Sequence, residues 1–139
     1  MAILGGCGLV SPKEERVPSV IEYLSPPLPF VFGYPDTVTA GQEFDVRLRT
    51  YAGGCREPGS VGVERSSLVI TLRPEDVRVS GGRDCPANLQ YFAYDVTLRF
   101  DNPGSAVIRV LGVVKPSGDH VEKEVPVVVK AGADPIGSR

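Results

Sequence analysis

The chain has no tryptophan, one methionine and one histidine, His120. That scarcity restricts acid–base chemistry, because any Ser–His or Cys–His nucleophile would have to pass through His120. His120 follows Asp119 and reads as a solvated turn residue. No Gly-x-Ser-x-Gly elbow is present. The cysteines Cys7, Cys55 and Cys85 include no Cys-x-x-Cys pair, so with a lone histidine they lack zinc-site spacing; no metal or cofactor is expected. Gly5-Gly6-Cys7-Gly8 lacks the spacing of a nucleotide-binding loop. Glu14-Glu15 and Glu75-Asp76 are sequence neighbours and read as solvated arm and turn residues, not as two carboxylates facing one cleft. These gaps predict a protein that is not an enzyme.

A run of ~18 apolar residues, long enough to span a membrane, is also missing, and residues 1–7 are too few for a secretory signal. Charge of one sign is missing as well. The net charge is −2, with nine arginines in residues 47–109 interleaved with nine carboxylates in residues 43–101. A nucleic-acid footprint needs a basic face of one sign, so no nucleic-acid partner is expected.

Glycine and proline are plentiful, at 16 and 13 of 139 residues, and they interrupt every candidate helix. Between them the apolar residues alternate. In residues 43–50 Phe44, Val46 and Leu48 point one way and Asp45, Arg47 and Arg49 the other, which is the period of a half-buried strand. Residues 89–100 repeat the pattern with Phe92, Tyr94, Val96, Leu98 and Phe100 on one face. Further strands are expected at 68–72, 77–80, 105–114 and 121–130, with a first one at 19–24. Turns are expected at Ala40-Gly41, at Pro74-Glu75-Asp76, at 101–104 and at 116–119. Residues 52–67 and 81–86 read as Gly-rich loops, and Pro126 suggests an edge position for the last strand. The expectation is an all-β protein, an antiparallel sandwich of seven or eight strands. Residues 1–25 form an extended arm or tether, 26–130 the sandwich domain, and 131–139 a tail.

From residue 37 to 129 the chain resembles a bacterial immunoglobulin-like domain. The similarity lies in Val-Thr-Ala-Gly-Gln-Glu-Phe-Asp-Val at 38–46, Gly-Ser-Ala-Val-Ile-Arg-Val at 104–110, and the valine-rich last strand. Separately, Leu4-Gly5-Gly6-Cys7 resembles a lipobox, which would make Cys7 a lipidated residue and the arm a tether.

Cys55 and Cys85 fall in loops at the same end of the sandwich if strands alternate in direction, which permits a disulfide; otherwise they are two surface thiols. A disulfide would imply an oxidising compartment or a thermophile-like interior. The outward rows Asp45, Arg47, Arg49 and Asp95, Thr97, Arg99 read as cross-strand ion pairs, or as a contact face of Arg47, Arg49, Arg99 and an outward Tyr91. Tyr91 and Tyr94 lie on opposite parities, so one faces out.

These features imply an exported module at the cell surface or in the periplasm that binds a protein or glycan. Its membrane contact would come only through a lipid on Cys7. The other reading is a structural subunit, such as a virion decoration protein or filament, whose N-terminal arm joins a homo-oligomer.

Overall fold

The computed structural model describes residues 13–80, 85 and 88–132, and every regular element among them is a strand. In chain order these are β1 (Lys13–Pro18), β2 (Val20–Leu24), β3 (Pro27–Leu28), β4 (Phe32–Gly33), β5 (Thr37–Thr39) and β6 (Glu43–Ala52). They continue with β7 (Arg56–Ser66), β8 (Val69–Ser80), β9 (Gln90–Arg99), β10 (Gly104–Lys115) and β11 (Asp119–Lys130). The protein is all-β, as expected, but the strands form one curled mixed sheet, a half-barrel.

The expected purely antiparallel pairing needs correction. β10 runs parallel to both β8 and β2, and β11 runs parallel to β5. The reason lies in how β10 is shared. One edge of β10 pairs with β11 along its length. Its other edge pairs with β8 from Val107 to Val110 and then with β2 from Val113 to Lys115. β8 therefore leaves β10 midway, and its second half is taken over by β1. Ser19 makes the exchange: its N–H donates to the Pro74 carbonyl at 3.0 Å, and its carbonyl accepts from Val113 N at 3.0 Å.

This exchange also explains two other differences from expectation. Pro74-Glu75-Asp76 is not a turn but the middle of β8. Pro74 sits where the pairing of β8 with β10 has ended and that with β1 has not begun, so its missing N–H falls in a gap of the ladder. Residues 13–18, assigned to the arm, form β1, while β2 is the first strand expected at 19–24, and both are woven into the sheet. Residues 1–12, including Cys7, and residues 133–139 of the tail lie outside the described residues.

β7 is a further correction, because it occupies most of the stretch read as a loop at 52–67. It pairs with β8 from Val69 to Arg78 but with nothing on its other side among the described residues, so its side chains show little burial alternation. The register shifts between Pro58 and Ser60, and a Cβ on the intervening Gly59 would collide with the Glu75 carbonyl oxygen. Pro58 is tolerated because it lies on an edge beside a bulge. The turns at Ala40-Gly41 and 116–119 are present, with Gly41 and Gly118 at φ values of 85° and 82°, whereas 101–104 is a bend that leads into β10. Pro126 does lie on an edge: β5 covers only the last residues of β11, from Val128.

The concave side of the sheet holds one apolar cluster, with Leu48, Ile70, Leu72, Phe100, Ile108 and Val110 all at 1% exposure or less. Each such side chain stabilises the fold by roughly 1.5–3 kcal/mol relative to exposure. A second, smaller cluster of Val20, Tyr51 and Val113 packs on the other face at the end of β6. With both faces covered there, Thr50, Tyr51 and Ala52 are buried in succession and the alternation of β6 stops.

The crossing of β2 over β10 is close. A Cβ on Gly112 would lie 2.8 Å from Ile21 Cγ2 and 2.9 Å from the Ser19 carbonyl oxygen. Gly112→Ala should lower unfolding stability by about 1–3 kcal/mol through overpacking. Gly53→Ala, where a Cβ meets open space, should stay within about 0.5 kcal/mol of the parent in urea unfolding.

Candidate functional site

Three places on the molecule carry the chemistry-bearing side chains: a buried polar hub, the outer face of β6 and β9, and the disulfide region.

The hub centres on Asp76. Along β8 the residues Ile70, Leu72 and Pro74 point inward, and Asp76 continues that parity into the interior at 0% exposure. Its Oδ1 accepts hydrogen bonds from Ser19 Oγ at 2.7 Å and from the Tyr94 hydroxyl at 2.8 Å. Its Oδ2 accepts from Arg56 Nη1 at 3.2 Å. The Tyr94 oxygen in turn accepts the Gly59 N–H at 2.8 Å and lies 3.1 Å from the Glu75 carbonyl. The carboxylate is thus matched by charge and by donors, which a buried ion requires. Burial pushes the Tyr94 phenol up to about 12; the Asp76 carboxylate adds to this, while donors from Gly59 and Ser19 oppose it.

Ser19 and Asp76 resemble part of a nucleophilic pair, but both are at 0% exposure and no reactant reaches them. The hub acts as a strut, joining the β1–β2 exchange to β7, β8 and β9. Reading Asp76 as a solvated turn residue was incorrect, because β8 does not stop at Pro74. The signal was available: extending the inward parity of Ile70 and Leu72 through Pro74 lands on Asp76.

The outer face of β6 and β9 gathers the expected contact residues. The register sets Glu43 opposite Arg99, Arg47 opposite Asp95 and Tyr51 opposite Tyr91. Arg47 grips Asp95 with two bonds of 2.6 and 3.1 Å, and Thr97 donates to Asp45 at 2.7 Å. The Arg47 hydrogen bond holds the Asp95 carboxyl below its ordinary range, and Asp95 raises Arg47 in return. Arg99 pairs with Asp101 at 2.8 Å. These pairs are exposed and contribute little to stability. Tyr91, at 57% exposure, faces out, while Tyr94, at 7%, faces in. The Arg49 guanidinium lies 5.1 Å above the Tyr91 ring, and Tyr91 stands edge-on to Tyr51 with centroids 5.4 Å apart. Leu89, at 40% exposure, lies two residues before Tyr91.

Cys55 and Cys85 form a disulfide that spans 30 residues, with Cα atoms 4.8 Å apart. It ties the start of β7 to the approach to β9 and stabilises the fold by about 3–4 kcal/mol in the chain-entropy model. A disulfide fits an oxidising environment. His120 is exposed near the start of β11, in a groove of about 330 Å³ that it shares with Glu75, Glu122 and Arg73. Among the described residues no group of at least three His, Cys, Asp or Glu side chains could hold a metal ion, and no helix is long and apolar enough to cross a membrane.

Comparison with known proteins gives no match: no family model fits the chain, and no curated protein or solved structure is significantly similar to it.

Asp76→Ala would leave Arg56, whose side chain is 14% exposed, without its carboxylate and Ser19 Oγ without its acceptor, while the Tyr94 hydroxyl keeps Gly59 N and the Glu75 carbonyl. Urea unfolding should show a loss of about 3–5 kcal/mol. The Tyr94 phenol lies above its ordinary value of 10.0 when folded, so its contribution is complete below about pH 10 and is lost as pH rises toward about 12. Unfolding measured against pH should show that alkaline loss in the parent, and Tyr94→Phe should flatten it.

Proposed function

We propose that this chain is an exported, immunoglobulin-like binding module that performs no chemistry of its own and recognises a protein partner through the outer face of β6 and β9. The observation that carries this reading is the Tyr91–Arg49 pair. Tyrosine and arginine are the side chains that most often anchor protein interfaces. Here the ring is exposed yet held in place by Tyr51 beneath and Arg49 above. Docking onto a ring already held in place costs less side-chain entropy than ordering a free one. The neighbouring Arg47–Asp95 and Arg99–Asp101 pairs supply a polar rim.

Export is supported by the Cys55–Cys85 disulfide. The lipobox-like Leu4-Gly5-Gly6-Cys7 supports a lipid on Cys7 as the link to a membrane, with the module at the cell surface or in the periplasm.

A second reading is a structural subunit of an assembly. It is favoured by β7 and β9, each of which has a full ladder on one side only among the described residues. Native mass spectrometry decides between the two readings. A monomer supports the binding module, and a closed or open-ended oligomer of this chain supports the subunit.

The binding face is tested with the pair Arg49→Ala and Tyr91→Ala. Both variants should keep the parent's unfolding midpoint to within about 1 kcal/mol. Each should weaken capture of the protein partner from the extracytoplasmic fraction by about 2 kcal/mol or more, roughly thirtyfold. Equal capture by parent and double variant would remove the face from the reading.

A further inference from the structure

The ends of β2, β8 and β10 converge on the Gly53–Gly54 turn and the disulfide, and between them lies a cleft of about 480 Å³. Its lining is one-sided in charge. Arg56, Arg78 and Lys115 line it, and no carboxylate does among the described residues. In a chain whose net charge is −2 and whose sheet faces pair most cations with acids, this is the place where positive charge collects.

The cations are placed at a cost. Arg56 and Arg78 are direct partners on the β7–β8 ladder, a like-charge pair that disfavours itself. Each pairs with one acid, Arg56 with Asp76 at 3.2 Å and Arg78 with Glu15 at 3.0 Å, and Arg56 Nη1 also lies 3.4 Å from the Pro18 carbonyl. Those contacts use Nη1 of Arg56 and Nη2 of Arg78. A guanidinium carries five N–H donors, so each retains donors for a ligand. Lys115 is half-buried and has no ion-pair partner among the described residues, whereas half-buried Lys123 pairs with Glu22 at 2.9 Å. A half-buried ammonium without a carboxylate is stabilised by any anion that reaches it.

The wall is also fixed in advance. The disulfide joins Cys55 to Cys85, and Val79 N donates to the Cys55 carbonyl at 2.7 Å. The Arg56 head is held by the buried Asp76. Tyr23 supplies an apolar side to the cleft.

We propose that the cleft between Arg56, Arg78 and Lys115 binds an oxyanion, a sulfate or carboxylate group, either as a free ion or carried on a sugar-sized body that rests against Tyr23. The volume lies within the range of small-ligand sites, and planar or tetrahedral oxyanions match paired guanidinium donors. The site shares Tyr51 with the Tyr91–Arg49 face but uses neither Tyr91 nor Arg49.

The test is calorimetric titration of the full chain at low salt with inorganic sulfate, a sugar sulfate, a uronic acid and the neutral parent sugar. Saturable binding of at least one anion is expected, with none for the neutral sugar. Equal affinity for inorganic sulfate and the sugar sulfate assigns a free ion, and tighter binding of the sugar sulfate or uronic acid assigns an acidic sugar. Lys115→Met should weaken binding about ten- to a hundredfold. Lys130→Met, the same charge change at an exposed position near the end of β11, should leave it within twofold. Far-ultraviolet dichroism checks that both variants keep the fold, and Lys115→Arg should restore binding. The proposal is overturned if no anion saturates, if the neutral sugar binds as well as the charged ones, or if Lys130→Met weakens binding as much as Lys115→Met does.

Discussion

A carboxylate sealed from water has to be met by donors on every open side, and the donors around Asp76 come from separate stretches of chain. Ser19 arrives from the exchange between β1 and β2, Arg56 from the start of β7, and Tyr94 from β9. Backbone ladders already carry Ser19 and Arg56 to β8, whereas β9 has no ladder to β8 and reaches the point through the Tyr94 side chain. Buried polar networks of this kind disfavour misregistered packings, since any slip leaves an ion unpaired. Here the network holds β9 against β7 and β8, where the sheet ladder does not join them.

The same crossing explains the mixed topology. β10 has two successive partners on one edge, and the change from β8 to β2 takes place at Ser19, a residue whose backbone serves both sides and whose side chain serves the hub. Gly112 lets the strands cross closely, and Pro74 stands in a gap of the ladder that needs no donor. Local backbone chemistry and long-range packing agree at this point, which is the mark of a sequence that specifies one arrangement.

Much of this was legible from residues alone where burial alternates. β6, β9, β10 and β11 follow the period of two, the turns at Ala40-Gly41 and Gly118 follow glycine and proline, and the outward parity of Arg47, Arg49 and Arg99 placed them on one face. Gly-rich surroundings pointed to Cys55 and Cys85 as a pair, although the turn at 74–76 and the loop at 52–67 assumed between them are replaced by β8 and β7. What could not be read has a common physical origin. β7 is an edge strand with neither face deeply buried, so it has no alternation to find. β1 looked like a charge run because Glu14, Glu15 and Arg16 are in fact exposed, and their pairing partner lies on β8, far along the chain. Parallel pairing leaves no local mark. The cleft lined by Arg56, Arg78 and Lys115 is made from residues distant in sequence, so no motif announces it.

The direction of the outermost ladders has a mechanical consequence. β1 is antiparallel to β8, β8 is parallel to β10, and β10 is antiparallel to β11, so β1 and β11 point the same way. Tension applied between Lys13 and Lys130 therefore pulls opposite ends of the sheet along the strand axes. Hydrogen bonds that lie across the strands are then loaded together, as in shear, and do not unzip one at a time. A domain held at one end and pulled at the other would resist force through the β1–β8 and β10–β11 ladders, with the Asp76 hub bracing the junction between them.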